Sequence, residues 1–369
     1  MSEQDLNKIR VRIDELDREI QSLISERAQC AQQVADVKMR AGQKEGGEAL
    51  FYRPEREAQV LRAVKERNTG PLDENEMARL FREIMAACLA LEQPLKVAYL
   101  GPDGSYTHMG ALKHFGGSIN GLPSVQIDEV FREVEAGNAD FGVVPIENST
   151  EGVISYTLDM LLHSSLVICG EVDLPIHHNL ITNCSELSAV KKVYSHQQSL
   201  AQCRNWLNKN LPGVETIAVS SNSHAVTLLK DDPAAAAIAG KMASDLYSVP
   251  VLNHNIEDQV DNTTRFIVLG KQSVPVSGED KTSLLVMLHN KAGALHDLLS
   301  SFADRGISMS KIESRPAQSG GTNTATWEYV FFIDIQGHRD DANVAEAITD
   351  LEHKSAMLKV LGSYPVAVL

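Results

Sequence analysis

The fold of the N-terminal quarter of the chain is decided by residues 6–40, which read LNKIRVRIDELDREIQSLISERAQCAQQVADVKMR. This stretch contains neither glycine nor proline, and its apolar residues recur every three or four positions, a pattern that predicts one long amphipathic helix over residues 3–41. The apolar seam consists of Leu6, Ile9, Ile13, Leu16, Ile20, Leu23, Cys30, Val34 and Val37. Such a helix would be roughly 55 Å long, which is more than a domain of this size can cover, so we expect a second copy of the chain to cover it.

The helical head of the chain is divided by residues that end or start helices. The glycines within residues 42–47 predict the end of the first helix, and Pro54 opens a second one at the position where proline is favoured. Asp73, followed three residues later by a glutamate, is typical of a capping box and opens a third helix. Pro94 cannot continue that helix, so the head is expected to end there.

Two cations interrupt the apolar seam of the first helix. Arg27 lies where the heptad pattern requires an apolar residue, and Lys38 follows three turns later on the same stripe. An isolated charge at such a position usually extends to solvent or fixes the register. Two cations on one apolar face need an anion between the helices, because an unpaired buried charge is costly. The seam therefore predicts a pocket for a small carboxylate.

The rest of the chain alternates between short apolar segments and helical ones. Up to residue 271 this alternation favours an α/β fold with a largely parallel sheet. A polar linker spans residues 273–281, and the segments after it follow the β-α-β-β-α-β order of a ferredoxin-like fold, with one strand over residues 327–335. The expected domains are residues 1–92, 93–272 and 281–369.

Composition excludes several classes of protein. The 369 residues carry a formal net charge of −15, which argues against nucleic acid or an anionic membrane as a partner. No apolar run approaches the ~18 residues of a membrane span, and no signal peptide is recognised. The five cysteines form no C-x-x-C pair, so we expect reduced thiols in a cytoplasmic protein.

The sequence predicts neither a metal nor a cofactor. His177 and His178 with His196 form the best cluster of metal ligands, but their spacing matches no metal motif, and core or surface histidines are the better interpretation. No G-x-G-x-x-G follows a predicted strand, so a nicotinamide cofactor is not expected.

Four segments of the body carry candidate site chemistry. Residues 101–107, GPDGSYT, join a strand to a helix and could hold an anion on backbone N–H groups. Residues 262–266, NTTRF, place hydroxyls and a guanidinium at the start of a buried strand. Each alone is typical of an ordinary loop or strand entry. Residues 144–149, VPIENS, and 193–196, VYSH, complete the set.

The head resembles the helical chorismate mutase family, on Ile9-Arg10, Leu16-Asp17, residues 25–27, Lys38, Arg56-Glu57 and residues 79–81. In that family three helices from each of two chains intertwine and share each site. The resemblance implies that Arg10 of a second chain and Arg27 hold carboxylates, and that Lys38 donates to a carboxylate and the ether oxygen. It also places Arg56, Glu57, Cys88 and Glu92 around the substrate. Glu92 stands where some relatives have Gln, so it could donate to the ether oxygen only when protonated.

The four body segments, in this order, resemble prephenate dehydratase, whose fold has two α/β lobes with a cleft, similar to periplasmic-binding proteins. The resemblance implies that Thr264 assists departure of the substrate hydroxyl. It implies that the cleft is lined by Ser105, Asn148, Ser149, Ser195, Gln202 and Arg265. Whether Thr264, Glu147 or His196 supplies the proton stays open.

The tail resembles an ACT regulatory domain. The motifs are Gly293-Ala294-Leu295 and Glu313-Ser314-Arg315-Pro316, and in aromatic-pathway dehydratases they form a phenylalanine site shared between two chains. Together the resemblances imply a bifunctional homodimeric enzyme that converts chorismate to prephenate and then to phenylpyruvate and is inhibited by L-phenylalanine. Further pairing of dimers stays open. One alternative is a non-catalytic amino-acid sensor whose head only dimerises, and another is a dehydratase that prefers arogenate.

Overall fold

The computed structural model describes residues 3–45, 51–289, 291–316 and 329–369. The head contains the helices α1 (Glu3–Glu45), α2 (Pro54–Arg67) and α3 (Glu74–Glu92). The chain forms two compact units, one built mainly on α1 and α3 and the other containing three β-sheets.

Helix α1 is longer than the sequence predicts. It continues past residue 41 through Gly42 and ends at Glu45, within residues 42–47, where the glycines predict its end. A single glycine inside a helix costs only about 1 kcal/mol relative to alanine, which a long helix tolerates. The apolar seam of α1 stays open to solvent in the single chain, and Ile9, Ile20 and Leu23 are at least half exposed. The predicted helix starts are confirmed: Pro54 occupies the first turn of α2, and the Asp73 side chain accepts a hydrogen bond from the Asn75 N–H.

The body consists of two lobes. The first lobe contains β1 (Lys96–Leu100), α4 (Tyr106–Phe115), β2 (Asn120–Ser124), α5 (Ile127–Ala136), β3 (Phe141–Asn148), β4 (Gly152–Val153), α6 (Ser155–His163) and β5 (Val167–Pro175). The second lobe contains β6 (Asn179–Thr182), β7 (Lys192–His196), α7 (Gln197–Gln202), α8 (Arg204–Asn210), β8 (Glu215–Val219), α9 (Asn222–Leu228), β9 (Ala235–Ala239), α10 (Lys241–Tyr247) and β10 (Val251–Asn253). The chain then returns to the first lobe as β11 (Thr263–Gly270).

Both sheets of the body are mixed, so the expectation of a largely parallel sheet is wrong. The first lobe has the strand order β2-β1-β3-β11-β5, and the returning strand β11 runs antiparallel to both of its neighbours. The second lobe has the order β10-β6-β9-β7-β8, with β6 antiparallel to β9 and β7 parallel to β8 and β9. Because β11 lies between β3 and β5, its first residues reach the edge of the sheet where β3 ends.

The tail has the predicted β-α-β-β-α-β order. Its elements are β12 (Asp280–Leu288), α11 (Ala294–Ala303), β13 (Met309–Pro316), β14 (Tyr329–Gln336), α12 (Ala342–Lys354) and β15 (Ser355–Pro365). They form one antiparallel sheet in the order β13-β14-β12-β15, with both helices against a shared apolar core. The start of the strand predicted over residues 327–335 lies outside the described residues.

Candidate active sites

A cavity of about 400 Å³ is lined by residues from both lobes of the body. The first lobe contributes the turn before α4, the end of β3 and the start of β11. The second lobe contributes His196 and the residues before and within the first turn of α9. Among its lining residues there is no Lys, Arg, Asp or Glu. A charged ligand in this cavity would therefore be held by hydroxyls, amides and backbone N–H groups.

The centre of the cavity wall is a pair of hydrogen-bonded side chains, Thr264 and Asn148. The two residues are register partners on β11 and β3, both are buried, and the Asn148 Nδ2 donates to the Thr264 Oγ1 over 2.8 Å. The orientation of the amide is fixed, because its Oδ1 accepts from the backbone N–H groups of Thr150 and Glu151 and its Nδ2 also donates to Asn262. The Thr264 oxygen accepts the hydrogen bond from Asn148, and its own O–H proton has no acceptor among the described residues. This proton is therefore available to a ligand.

The turn before α4 brings a helix N-terminus to the cavity. The Ser105 Oγ lies 2.9 Å from the Leu100 carbonyl oxygen and accepts from the His108 N–H over 3.2 Å, which stabilises the first turn of α4. Ser105 and the next two residues, Tyr106 and Thr107, line the cavity. Backbone N–H groups in the first turn of a helix have no partner within the helix and carry positive partial charge, which suits a carboxylate.

The second lobe supplies a matching set of donors. Residues 220–223, Ser-Ser-Asn-Ser, follow strand β8 and open α9, and all four line the cavity. The hydroxyl of Ser223 is buried and has no hydrogen-bond partner among the described residues. A buried hydroxyl without a partner costs free energy, so this group is suited to bind a ligand atom.

Four predicted lining residues, Ser149, Ser195, Gln202 and Arg265, do not line this cavity. Ser149 is exposed, and its hydroxyl links the end of β3 to the segment that leads into β11. The Ser149 Oγ lies 3.2 Å from the Asp261 carbonyl oxygen and accepts from the Thr263 N–H. Ser195 is fully buried beneath the site, where its Oγ lies 2.9 Å from the Asn222 Oδ1. Gln202 lines a second cavity of about 300 Å³. These expectations are corrected: Ser195 is hydrogen-bonded to Asn222 of the cavity wall, and Gln202 is hydrogen-bonded to Asn262, which holds Asn148.

Gln202 belongs to a hydrogen-bond chain behind the Asn148–Asn262 pair. Its Nε2 donates to the Glu151 carboxylate over 3.0 Å, so its Oε1 is the acceptor for the His178 Nε2, 2.7 Å away, and for the Asn262 Nδ2, 3.3 Å away. Burial lowers the pKa of His178, which favours the neutral ring. Its other nitrogen, Nδ1, lies 2.8 Å from the Tyr106 hydroxyl, which also lies 2.9 Å from the His177 carbonyl oxygen. The chain fixes the Asn262 amide and, through it, Asn148.

Arg265 faces away from the cavity, so its predicted role as a substrate ligand is wrong. It follows Thr264 on a strand, and consecutive strand residues face opposite sides of the sheet. Its guanidinium is paired with Glu171, over 2.8 Å, and with Asp334, over 2.6 Å. Although burial alone would lower it, the Tyr364 hydroxyl and these two carboxylates raise the pKa of Arg265. Glu147 also faces away and pairs with Lys311, which excludes it as the proton donor.

In the head, three predicted residues lie together. Arg27 and Lys38 of α1 are half-buried, and both cations lie close enough to the Glu92 carboxyl to lower its pKa. Burial raises the pKa of Glu92 more strongly, so the net direction is upward. The Glu92 Oε2 is buried and has no hydrogen-bond partner among the described residues. The Lys38 Nζ donates to the Phe51 carbonyl oxygen over 3.1 Å.

The remaining predicted residues of the head lie on all three helices. Cys88 is buried on α3, one turn before Glu92, and Arg56 is exposed while Glu57 is half-buried at the start of α2. Arg10 is exposed on α1 and precedes Arg27 by 17 residues. At ~1.5 Å per residue, this separates the two arginines by about 25 Å along the helix. Both cannot hold one small ligand within a single chain.

The tail positions its two motifs on a helix start and a strand. Gly293 has a left-handed conformation, φ 83°, and caps α11, so Ala294 and Leu295 form its first turn. On β13, Ser314 and Pro316 are exposed and Glu313 is half-buried. Arg315 points to the first lobe instead, where its Nη1 donates to the Asp159 carboxylate over 2.8 Å. Its guanidinium is therefore engaged by the first lobe, and its place in a ligand site of the tail stays a prediction.

The described residues contain no group of three or more His, Cys, Asp or Glu side chains that could hold a metal ion. The His177 Nδ1 is instead within hydrogen-bond distance, 2.8 Å, of the Glu257 Oε1. None of the helices within the described ranges has the length and apolar character required to cross a bilayer.

Comparison with known proteins identifies the three parts of the chain. Family models match for chorismate mutase type II over residues 9–93, for prephenate dehydratase over 97–274, and for the ACT domain over 282–353. The bifunctional chorismate mutase/prephenate dehydratases of Stutzerimonas stutzeri and Pseudomonas aeruginosa are 54% and 53% identical to this chain over 371 residues, covering 100% of each chain. The chain belongs to the bifunctional chorismate mutase/prephenate dehydratase family.

A solved structure supports the same membership for the body and tail. The prephenate dehydratase from Arthrobacter aurescens in complex with L-Phe is 34% identical, with a TM-score of 0.67, and the match covers 73% of this chain and 90% of that chain. The predicted fold class is thereby confirmed: a helical head, a two-lobed α/β body and a ferredoxin-like tail.

Sequence reasoning missed one part of the dehydratase cavity. The run of residues 220–223 was not singled out, although it has the same character as residues 101–107: small polar residues between a strand and a helix. Applying the anion-site argument to every strand-to-helix turn would have found it. His196, the alternative proton donor, lines the cavity.

Proposed function

We propose that this chain catalyses two successive reactions of phenylalanine biosynthesis in the cytoplasm. The head, residues 1–92, rearranges chorismate to prephenate, and the body, residues 93–272, converts prephenate to phenylpyruvate. The tail, residues 281–369, binds L-phenylalanine and inhibits. The five cysteines are free thiols, which supports a reducing compartment. The observation that carries the proposal is the Thr264 hydroxyl, held by Asn148 and aimed into a cavity of neutral donors.

In the dehydratase reaction, the electron pair of the breaking C–CO2 bond moves into the ring while the C–OH bond breaks. Carbon dioxide and hydroxide leave, the hydroxide takes up a proton from solvent to become water, and the ring becomes aromatic, so a large part of the driving force belongs to the substrate. The protein must hold two carboxylates and help the hydroxyl leave. The Asn148 amide holds the Thr264 oxygen so that its O–H can donate to the departing oxygen. The first turns of α4 and α9 supply N–H and hydroxyl donors for the carboxylates.

The mutase reaction is a pericyclic shift that needs neither a nucleophile nor a metal. Catalysis consists of holding the compact conformer of chorismate and stabilising the negative charge that develops on the ether oxygen. Arg27 and Lys38 offer two positive charges for a dicarboxylate, and Glu92, whose pKa is raised by burial, offers a neutral donor in its protonated form. Arg56, Glu57 and Cys88 are proposed to surround the ring.

We infer that the mutase site is completed by Arg10 of a second copy of the chain. The distance along α1 separates Arg10 from Arg27 of the same chain, and the exposed seam of α1 needs an apolar partner. A homodimer in which the α1 helices pair would satisfy both requirements.

Inhibition by L-phenylalanine is supported by the ACT match and by the relative solved with L-Phe. The free N–H groups at the start of α11, after Gly293, suit an amino-acid carboxylate. The proposed site comprises Gly293, Ala294, Leu295, Glu313, Ser314 and Pro316.

One assay tests the proposed function. Purified full-length chain is given chorismate, and prephenate and phenylpyruvate are followed with and without L-phenylalanine. Formation of both products, with inhibition of the second step, is the expected result. If neither product forms while L-phenylalanine still binds, the chain is an amino-acid sensor. A strong preference for arogenate over prephenate would change the assigned substrate.

A further inference from the structure

The residues next to the catalytic pair form a second pair on the opposite face of the sheet. Thr264 and Asn148 are register partners that face the cavity, and Arg265 and Glu147 are the next register partners along the same two strands. Both Arg265 and Glu147 form ion pairs with the tail. Each residue of the dehydratase pair is therefore one peptide bond from a residue held by the tail.

The contact made by Arg265 is a buried anchor. Its guanidinium binds Glu171 of β5 and Asp334 of β14, and its Nη2 lies 3.0 Å from the Tyr364 hydroxyl of β15. The Lys281 ammonium also binds Glu171, over 2.7 Å. Removing one member would leave buried charge uncompensated, so this cluster fixes the central strands of the tail against β11.

The contact made by Glu147 is of a different kind. Its partner, Lys311, lies on β13, the edge strand of the tail's sheet, two residues before Glu313 of the proposed phenylalanine site. The Lys311 Nζ is 2.7 Å from the Glu147 Oε2, and the two side chains are 14% and 36% exposed. Four residues further along the strand, Arg315 binds Asp159 of α6. Strand β13 thus contacts the first lobe through Lys311 and Arg315, which face the same side of the sheet.

Resting on the proposed regulation by L-phenylalanine, we propose that the Lys311–Glu147 ion pair transmits the state of β13 to the dehydratase site. A shift of β13 on binding L-phenylalanine moves Glu147, and Asn148 follows because the two residues are consecutive. The Asn148 Nδ2 then loses its alignment with the Thr264 oxygen, and a hydrogen bond weakens steeply with angle. The Arg265 cluster holds the central strands, so the movement is concentrated at the end of β3. Lys311 and Glu147 are positioning residues that act through Asn148.

The test is the Lys311→Met variant, which keeps the length of the side chain and removes its charge. A partly exposed ion pair contributes little to stability, so the variant should fold and keep its dehydratase rate without L-phenylalanine within about twofold. The L-phenylalanine concentration for half-inhibition should rise at least about tenfold, within the range typical of coupled sites. Calorimetric affinity for L-phenylalanine without substrate should stay close to that of the wild type. Lys192→Met is the matched control, because Lys192 pairs with Asp232 in the second lobe, and its inhibition should be unchanged.

Charge exchange provides the second arm. Glu147→Lys combined with Lys311→Glu restores an ion pair with reversed sign and should recover inhibition that Glu147→Lys alone has lost. If Lys311→Met is inhibited like the wild type, or if the exchange fails to recover inhibition, the ion pair is not the connection. If L-phenylalanine does not inhibit the wild-type protein, the proposed regulation itself is refuted. If it inhibits the wild type and the Lys311→Met variant equally, only the role of the ion pair is refuted.

Discussion

Replacing Thr264 by valine tests the proposed dehydratase chemistry most directly. The substitution keeps the shape of the side chain and removes the hydroxyl that is aimed into the cavity. A positioned proton donor contributes about 10²–10⁴-fold to a rate, so kcat for phenylpyruvate formation should fall by that factor. The Asn148 Nδ2 loses one acceptor at a buried position, which destabilises the fold by about 1–3 kcal/mol. A loss of that size leaves most domains folded.

The assay contains its own control. The same preparation is given prephenate, to follow phenylpyruvate, and chorismate, to follow the mutase. The mutase rate should be unchanged, because Arg27, Lys38 and Glu92 all lie in the head. Thr264→Ser restores the hydroxyl at the same atom and should recover most of the dehydratase rate, whereas a purely structural role for Thr264 would leave both variants equally impaired.

Two results would refute the reasoning. Dehydratase turnover in Thr264→Val within about tenfold of the wild type would exclude a donor role, since the loss would be smaller than any general-acid contribution. His196, the remaining titratable side chain on the described wall of the cavity apart from Tyr106, would then become the candidate. A rate that falls equally in Thr264→Val and Thr264→Ser would assign the loss to packing.

Three further predictions follow from local geometry. Glu92 donates only when protonated, and burial raises its pKa, so mutase activity should be lost as pH rises through that pKa. The pH–rate profile of the Glu92→Gln variant should be flat in this range. A falling limb that is unchanged in the variant would exclude Glu92 as the donor. Ser223→Ala should raise the KM for prephenate by about tenfold, the value of one hydrogen bond to a charged group, and an unchanged KM would exclude that contact. Gly362→Ala would place a Cβ against the Ile168 backbone and should lower the thermal unfolding midpoint, measured by calorimetry, by several degrees or more, whereas a midpoint equal to the wild type's would contradict the packing described.

The secondary structure of the head and tail could be predicted because local signals decide it. Pro54 and Asp73 start helices for reasons contained within one turn of chain. The direction of the body's strands could not be predicted, because β11 joins the first sheet only after the chain has built the second lobe. An apolar run such as residues 266–269 is compatible with either direction, so nothing within the strand indicates that it returns antiparallel.

The composition of the dehydratase site was only partly predictable from motifs. Asn148 and Thr264 come together because β3 and β11 pair with these two residues in register, and the motif order alone indicated both. Ser195 and Gln202 were expected on the same wall, but each lies behind it, with Asn222 and Asn262 in between. A motif shows which residues a site depends on and does not distinguish a wall residue from the residue that orients it.

The Thr-Arg-Phe motif shows what the sequence could have settled. Side chains along a strand alternate between faces, so Thr264 and Phe266 share a face, and both do line the cavity. Arg265 must then face the other side, and the same rule places Glu147 opposite to Asn148. Alternation alone therefore predicts that Arg265 and Glu147 do not contact the substrate. It leaves two charged side chains without a predicted partner on the face of the sheet opposite the cavity. The sequence could not predict the partners of these two charges, because Asp334 and Lys311 belong to the tail. Only the folded chain shows that residues of the tail bind the direct neighbours of Thr264 and Asn148.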